Sequence, residues 1–388
     1  MEIKKIYIGI IAAALLCSVI AFAGCKQDNS VISGTDEIEN NDINDEAQND
    51  IDNMENKDDN SSDEDITPPE EIKFRNPLTG MPCEETTVTS RPVAIMINNL
   101  KQAIPQHGIA DADIIYECIV EGGITRLMAL CSDYENLPLT GSVRSSRDYY
   151  LDLVQSHDAI YAHCGGSEDA YTAISSRRID NIDGVRGSYA ASSAYWKDSD
   201  RVKNMGYEHA SMTNGEKLSK AIKDLKFRTE LSENFEHPLT FGTKDSDFDG
   251  ESVVTTEITY SYYAKSYFVY DEELKEYKKG QYNEPHIDAN TDAPLSFKNV
   301  IILGASYTNT NDSYNHMNLS FTGTGKGYYI SNGKLKNIVW KKTDRQSPYS
   351  LYEEDGETKL LLNPGKSYIG ITNGLSCVSL SETADYNF

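Results

Sequence analysis

The run Val-Ala-Ile-Met-Ile at residues 93–97 decides the fold, because five consecutive apolar residues leave no polar face for solvent. A strand that is apolar on both sides is typical of a sheet covered on both faces. Short apolar runs at 114–116, 126–130 and 159–162 predict three more buried strands of this kind.

Helix signals lie between these strands and after them. We expect helices at 148–155, directly after Ser167, and at 214–225. Thr213 and Glu216 have the spacing of a capping box, which predicts where the last of these helices begins. The N-terminal half therefore mixes helices and strands.

The pattern changes to β after about residue 249. The dipeptides Asp249-Gly250, Asn332-Gly333 and Asp355-Gly356 are hairpin-turn pairs between β-favouring residues. Asn363-Pro364-Gly365-Lys366 suits a tight turn. The sequence thus predicts an α+β fold, a layered sandwich with a mixed α/β N-terminal domain at 74–248 and a β-rich C-terminal domain at 249–388.

Tyrosine is concentrated in this C-terminal half. On a half-buried sheet, tyrosine is an ordinary strand residue. A platform that contacts carbohydrate or peptide is the alternative, since tyrosine joins an apolar body to a polar tip. The positions concerned are Tyr260, Tyr262, Tyr263, Tyr267, Tyr270, Tyr328 and Tyr329.

The first 25 residues have the layout of a secretory signal, with Lys4 and Lys5 before a long apolar run. Ala23-Gly24-Cys25 looks like a bacterial lipobox, in which Cys25 is lipidated and anchors the mature chain to the membrane. An uncleaved membrane helix over 6–24 is the alternative. Either arrangement places the folded body outside the cytoplasm.

Residues 26–73 form a predicted disordered tether, with 17 acidic and 3 basic residues. The whole chain carries a net charge of −25, which excludes a general nucleic-acid surface. Beyond Cys25, five widely spaced cysteines and no Cys-x-x-Cys pair argue against a zinc site or a dense disulfide framework. They leave open whether one disulfide forms among Cys83, Cys118, Cys131, Cys164 and Cys377.

The stretch GSVRSSRDYY at 141–150 contains the candidate site. Arg144 and Arg147 can grip a phosphate or carboxylate, with Arg126 as a third cation and Tyr149 beside them. The other interpretation is internal, because the same arginines can pair with the protein's own acids and hold the sheet to a helix. The acids in question are Glu117, Glu121 and Asp148.

Several weaker patterns occur elsewhere in the sequence. His163 begins a His-Cys-Gly-Gly-Ser loop and shares a strand face with His157, which permits a nucleophile or metal site without completing either. Residues 288–292 copy half of a calcium loop but lack its glycine and final glutamate. Residues 323–327 lack the Ser or Thr and the helix of a phosphate loop. No cofactor or metal is therefore predicted.

Long ordered motifs extend over most of the chain beyond the tether. They are NPLTG (76–80), RPVAIMINN (91–99), PQHGIADADIIYE (105–117), EGGITRLMAL (121–130), GSVRSSRDYYLDL (141–153), HDAIYAHCGGSEDAY (157–171), EYKKGQYNEPHIDANT (276–291), TGTGKGYYISNGKLKNIVWKK (322–342) and LNPGKSYIGI (362–371). These motifs resemble the YerB-like lipoprotein family of Gram-positive bacteria, although the chain departs from that pattern at Ser142, Ser146 and around His209. The resemblance implies an α+β layered sandwich on the outer face of the cell membrane and implies no reaction, since the family is a domain of unknown function.

Two functions follow from these patterns. The first is a membrane-anchored binding protein that holds an anionic envelope ligand, or a protein partner, with Arg144, Arg147 and Tyr149 lining a pocket. The second is an envelope enzyme acting on a phosphate- or glycan-containing substrate, with Asp148 or His163 carrying the proton. No complete catalytic constellation is visible in the sequence, which favours binding.

Overall fold

A computed structural model describes residues 72–386. The predicted signal segment with Cys25, and the predicted tether as far as residue 71, lie outside the described residues. Within 72–386, no helix has the length and apolar character needed to cross a bilayer.

The described part of the chain forms six α-helices and four short 3-10 turns. The helices are α1 Glu85–Thr89, α2 Tyr150–Ser156, α3 Glu168–Arg177, α4 Tyr189–Ser192, α5 Ser199–Asn204 and α6 Gly215–Leu225. The 3-10 turns are Lys101–Ala103, Glu121–Gly123, Tyr134–Asn136 and Tyr207–His209.

Strands dominate the same residues, which confirms the α+β class. They are β1 Val93–Asn98, β2 Ile114–Ile119, β3 Thr125–Cys131, β4 Thr140–Gly141, β5 Ile160–His163, β6 Asn181–Asp183, β7 Trp196–Lys197, β8 Ser211–Thr213, β9 Glu251–Ser252, β10 Thr255–Thr259, β11 Lys265–Asp271, β12 Glu276–Gln281, β13 Glu284–Pro285, β14 Ile287–Asp288, β15 Ala293–Pro294, β16 Ser296–Phe297, β17 Asn299–Asn309, β18 Met317–Ser320, β19 Gly323–Ser331, β20 Lys334–Lys342, β21 Tyr349–Glu353, β22 Ser367–Asn373 and β23 Val378–Ser381.

Two local predictions were wrong. Helix α6 is capped by Asn214, whose side chain accepts a hydrogen bond from the Lys217 amide, while the Thr213 hydroxyl donates to the Ala194 carbonyl. Asp249-Gly250 does not close a hairpin, because the strand that follows it, β9, pairs with the distant β20. Asn332-Gly333 does close the β19–β20 hairpin, with both residues at positive φ as this turn requires.

One main sheet runs through both halves of the chain. Its strand order is β21-β20-β19-β17-β22-β2-β3-β1-β5-β6, with β18 and β9 attached to β17 and β20. Strand β22 lies between β17 and β2 and is parallel to both, so a late strand of the C-terminal half pairs with a strand of the N-terminal half at the centre of the sheet. The predicted division near residue 249 therefore separates two sequence segments that contribute strands to the same sheet.

Each face of this sheet carries its own hydrophobic core. Ala94 and Met96 of β1 face one core, and the alternate residues Val93 and Ile95 face the other. Helices α2 and α3 cover the first face, while α6 and a second sheet of β10–β13, β16 and β23 cover the second. The unbroken apolar run at 93–97 reflects this double cover.

A buried carboxylate sits where the main sheet meets the second sheet. Glu117, on β2, is 0% exposed. Its Oε1 accepts hydrogen bonds from Asn99 Nδ2 at 3.2 Å and Thr125 Oγ1 at 2.7 Å. Its Oε2 accepts from the hydroxyls of Ser266 and Tyr368, each at 2.8 Å. The first pair of donors comes from the N-terminal half and the second pair from the C-terminal half.

Lys279 on β12 supplies the counter-charge to this carboxylate. Its Nζ lies 3.8 Å from Glu117 Oε2, and it donates to Gln281 Oε1 at 3.3 Å. Burial lowers the pKa of Lys279 to about 8, although the charge of Glu117 opposes that shift. A buried ion pair of this kind is sensitive to the loss of either partner, since the remaining charge is left without compensation.

We predict that Lys279→Met lowers the free energy of unfolding by about 3–5 kcal/mol, because Glu117 keeps its buried charge without an ammonium beside it. The double variant Glu117→Gln, Lys279→Met should be more stable than the sum of the two single effects implies. Urea unfolding of the four proteins measures this coupling. Strictly additive effects would contradict the ion pair.

Candidate functional site

Two of the three predicted site arginines bind the same acid of the protein itself. Arg147 donates from Nε to Glu121 Oε2 at 2.8 Å and from Nη2 to Glu121 Oε1, and from Nη1 to the Ser146 carbonyl at 2.6 Å. Arg126 donates from Nη2 to Glu121 Oε1 at 2.8 Å and from Nη1 to the Ser145 carbonyl at 2.7 Å. The carboxylate held by these arginines is therefore internal.

The charge state of Glu121 is set by this arrangement. Burial alone would raise the pKa of its carboxyl group, but Arg126 and Arg147 together lower it to about 2. Burial and the nearby positive charge of Arg147 together lower the pKa of Arg126 to about 10. Glu121 is thus ionised at neutral pH and occupies the place that a ligand anion would need.

Arg144 takes a different partner from Arg147. Its guanidinium donates to the Glu208 carbonyl at 3.1 Å and to Glu208 Oε2 at 3.2 Å. Backbone hydrogen bonds pair Val143 with Ser211 and Arg144 with Met96 of β1. Because Arg144 binds Glu208 and Arg147 binds Glu121, the two arginines do not form one fork.

The other predicted site residues are engaged in the scaffold. Tyr149, expected to line a pocket, is buried and donates its hydroxyl to the Ile119 carbonyl at 2.7 Å. His163, a proposed proton carrier, is buried between the Gly165 carbonyl and Asn181 Oδ1. Burial lowers the pKa of His163. Asp148, the other proposed carrier, accepts from Arg345 Nη2 at 3.0 Å.

The weaker motifs also take structural positions. His157 is buried against the Tyr116 hydroxyl, and burial lowers its pKa to about 3. Ser167 caps α3, and Asp288 binds the Ala110 and Asn290 amides beside the β14–β15 turn. Within residues 72–386, no group of three or more His, Cys, Asp or Glu side chains is arranged to hold a metal ion.

A cavity of about 370 Å³ lies beside Arg147 and is lined by the acids Glu121 and Glu168. It also contains an imidazole that sequence reasoning missed, His316, whose Nδ1 lies 2.6 Å from Asp312 Oδ2. His316 comes from the β17–β18 loop, far along the chain from Arg147. The carboxylates of Glu121 and Glu168 make this cavity unfavourable for an anion.

A second cavity, of about 310 Å³, opens between the end of α3, the start of β5 and the segment 228–235. Its lining combines four guanidinium groups with two carboxylates. We call this site the arginine cavity and define it by Arg91, Arg177, Arg178, Arg228, Asp158 and Asp180.

Part of the arginine cavity is a fixed ion-pair frame. Arg91 is buried and donates from Nη1 to Asp180 Oδ2 at 2.6 Å and from Nε to the Asp158 carbonyl at 2.6 Å. Asp158 Oδ1 in turn accepts from Arg228 Nη2 at 2.8 Å. Burial alone would raise the pKa of Asp158, but hydrogen bonds from Arg228 and Ser232 lower it.

The rest of the arginine cavity has unused donors. Arg178 follows α3 as its C-cap, at a left-handed φ of 55°, and within residues 72–386 its guanidinium has no hydrogen-bond or ion-pair partner. In the part of the chain that the structure describes, Arg177 donates only from Nη1, to Asp152 Oδ1 at 2.6 Å and Gln155 Oε1 at 3.5 Å. Guanidinium groups with free N–H donors in a concave site are suited to phosphate or carboxylate.

Sequence reasoning did not find this cavity. Its arginines come from three separate segments, at residue 91, residues 177–178 and residue 228. The one local signal was the adjacent pair Arg177-Arg178, followed by Asp180, in a strongly acidic chain. That pair alone does not indicate a site, because arginine at a helix C-terminus is favoured by the helix dipole.

The comparisons with known proteins identify relatives along most of the chain. The curated protein "Putative lipoprotein YerB" of Bacillus subtilis (strain 168) is 29% identical over 330 residues, which is 82% of this chain and 92% of that protein. The crystal structure of YerB from Bacillus subtilis matches with a TM-score of 0.69 and 26% identity, covering 80% of this chain and 100% of the solved one.

Family models match both halves of the described residues. The N-terminal domain of "Protein of unknown function (DUF3048)" matches residues 78–228, and the C-terminal domain of the same family matches residues 256–369. The two matches flank the segment near residue 249 where the β-rich part begins. This chain belongs to the DUF3048 family, whose members include proteins similar to YerB.

Proposed function

We propose that this protein is a lipid-anchored, extracytoplasmic binding protein whose arginine cavity holds a small anionic ligand of the cell envelope. One observation carries the proposal: four guanidinium groups from three distant segments converge on a cavity that has only two carboxylates. Because the chain has a net charge of −25, an excess of arginines over carboxylates around one cavity calls for an explanation. Phosphate or carboxylate is the chemistry that such donors recognise.

Some charges that line the cavity are already compensated and others are not, and this difference supports the proposal. Arg91, Asp158 and Asp180 compensate one another and fix the walls. Arg178 adds nothing to that frame, so its charge is available to a ligand. Arg91 and Arg228 hold the frame through their ion pairs with Asp158 and Asp180, and they place the guanidinium of Arg178 beside a concave surface.

The membrane anchor rests on the N-terminal sequence. Small residues before Cys25, after a basic and then apolar segment, are typical of a lipidated N-terminus. The acidic residues between 26 and 73 repel one another and favour an extended tether. The relative named "Putative lipoprotein YerB" is consistent with such an anchor. The body would then project from the outer face of the membrane.

We predict that Arg178→Asn weakens the binding of inorganic phosphate or diphosphate by about tenfold, since a charge-assisted hydrogen bond is lost. Asparagine tolerates the left-handed backbone at this position, so the helix end should be preserved. Isothermal titration calorimetry on the chain from residue 26 onward measures the affinity.

Lys226→Asn is the matched control for this substitution. Lys226 is also a cationic C-cap at left-handed φ, but it ends α6 and does not line the arginine cavity. Its replacement should leave phosphate binding unchanged. Equal affinity in the wild type, Arg178→Asn and Lys226→Asn would refute an anion site at the arginine cavity, and no binding by the wild type would direct attention to protein partners.

We also predict that Cys25→Ala releases the protein from the membrane of a Gram-positive host. The variant lacks the thiol that accepts the lipid, so radiolabelled palmitate should mark the wild type and not the variant. Fractionation into membrane and medium gives the second readout. A wild type that stays in the membrane fraction without palmitate label would instead support the uncleaved helix over residues 6–24.

A further inference from the structure

Two tyrosines project from the second sheet without a role in packing. Tyr262 and Tyr263 lie in the turn between β10 and β11, and their side chains are 89% and 67% exposed. Their rings meet edge to face, with centroids 5.2 Å apart. Large aromatic surfaces that stay in water in this way are typical of binding surfaces.

These tyrosines form one wall of a groove of about 460 Å³. Its other walls come from β11, from the turn after β12 and from the loop after β1. We call it the tyrosine groove and define it by Lys101, Tyr262, Tyr263, Tyr267, Tyr282 and Asn283. None of these residues lines the arginine cavity, so the two sites are independent.

The far wall of the tyrosine groove is held in place by internal hydrogen bonds. Tyr267 donates its hydroxyl to Asn283 Oδ1 at 3.1 Å, and Tyr282 donates to the Asn99 carbonyl at 2.9 Å. Within residues 72–386, the hydroxyls of Tyr262 and Tyr263 have no such partners. The lining thus combines two hydrogen-bonded tyrosines with two exposed tyrosines whose hydroxyls have no partner in the described part of the chain.

One cation of the groove is uncompensated. Lys265, also on its lining, is paired with Glu257 at 2.6 Å. Lys101 has no ion pair within the described residues, and its Nζ lies 5.9 Å from the centre of the Tyr282 ring. An acidic group on a ligand would find its counter-charge at Lys101.

We propose that the tyrosine groove binds an acidic oligosaccharide. Sugar rings present apolar C–H faces and hydroxyl edges, which match the faces and polar tips of tyrosine. An apolar peptide is a poorer match, because the lining includes no aliphatic residue, only tyrosine, lysine and asparagine. The positive charge of Lys101 favours a sugar that carries an acidic group over a neutral sugar.

The test is binding of two defined tetrasaccharides to the chain from residue 26 onward. Hyaluronan tetrasaccharide is the acidic probe and N-acetylchitotetraose is its neutral counterpart. The wild type should bind the acidic probe more tightly than the neutral one. The double variant Tyr262→Ala, Tyr263→Ala should lose at least about tenfold in affinity for the acidic probe, since two stacking rings are removed.

Tyr189→Ala is the matched control, because Tyr189 is 87% exposed on α4 and is not part of the groove. It should bind as the wild type does, and Lys101→Met should lose the preference for the acidic probe. The exposed positions of both tyrosines make misfolding an inadequate explanation for lost binding, and an unchanged thermal midpoint verifies this. Failure of the wild type to bind either sugar, or equal binding by the double variant, would overturn the proposal.

Discussion

The carboxylate of Glu117 has no access to water, so its charge must be compensated within the protein. Its four hydrogen-bond donors and the ammonium of Lys279 come from β3, β11, β12, β22 and the loop after β1. Those elements meet because β22 pairs with β2 and the second sheet packs over this pair of strands. Compensation of this one buried charge therefore requires the two halves to pack against each other.

Compensation of an internal acid by internal cations recurs at the site where arginines were predicted to bind a ligand. Glu121 receives Arg126 and Arg147, and the buried Asp152 receives Arg177 and Arg345. In both cases two guanidinium groups compensate one internal acid and join distant segments. The arginine cavity differs because its cations outnumber its carboxylates and Arg178 has no partner in the described chain. Unequal charge, and not arginine itself, distinguishes a candidate site from the scaffold.

Local sequence predicted the elements better than their association. The run at 93–97 correctly indicated a strand that is covered on both faces, because it presents no polar side chain to solvent on either side. The pairing of β2 with β22 has no local signal, since Glu117 and Tyr368 are 251 residues apart. Arg144 and Arg147 indicated local positive charge, but their spacing does not reveal that each binds a different internal acid, Glu208 and Glu121. Long-range pairing also explains why the arginine cavity was not foreseen.

A sheet shared by both halves should unfold in one cooperative step. The sequence has two tryptophans, Trp196 in the N-terminal half and Trp340 in the C-terminal half. Urea unfolding of Trp196→Phe and Trp340→Phe, each followed by fluorescence and by far-ultraviolet circular dichroism, reports on each half separately. Coincident fluorescence and dichroism transitions within each variant are expected. A tryptophan signal that is lost at a lower urea concentration than the dichroism would show that the halves fold independently and contradict the role given to Glu117.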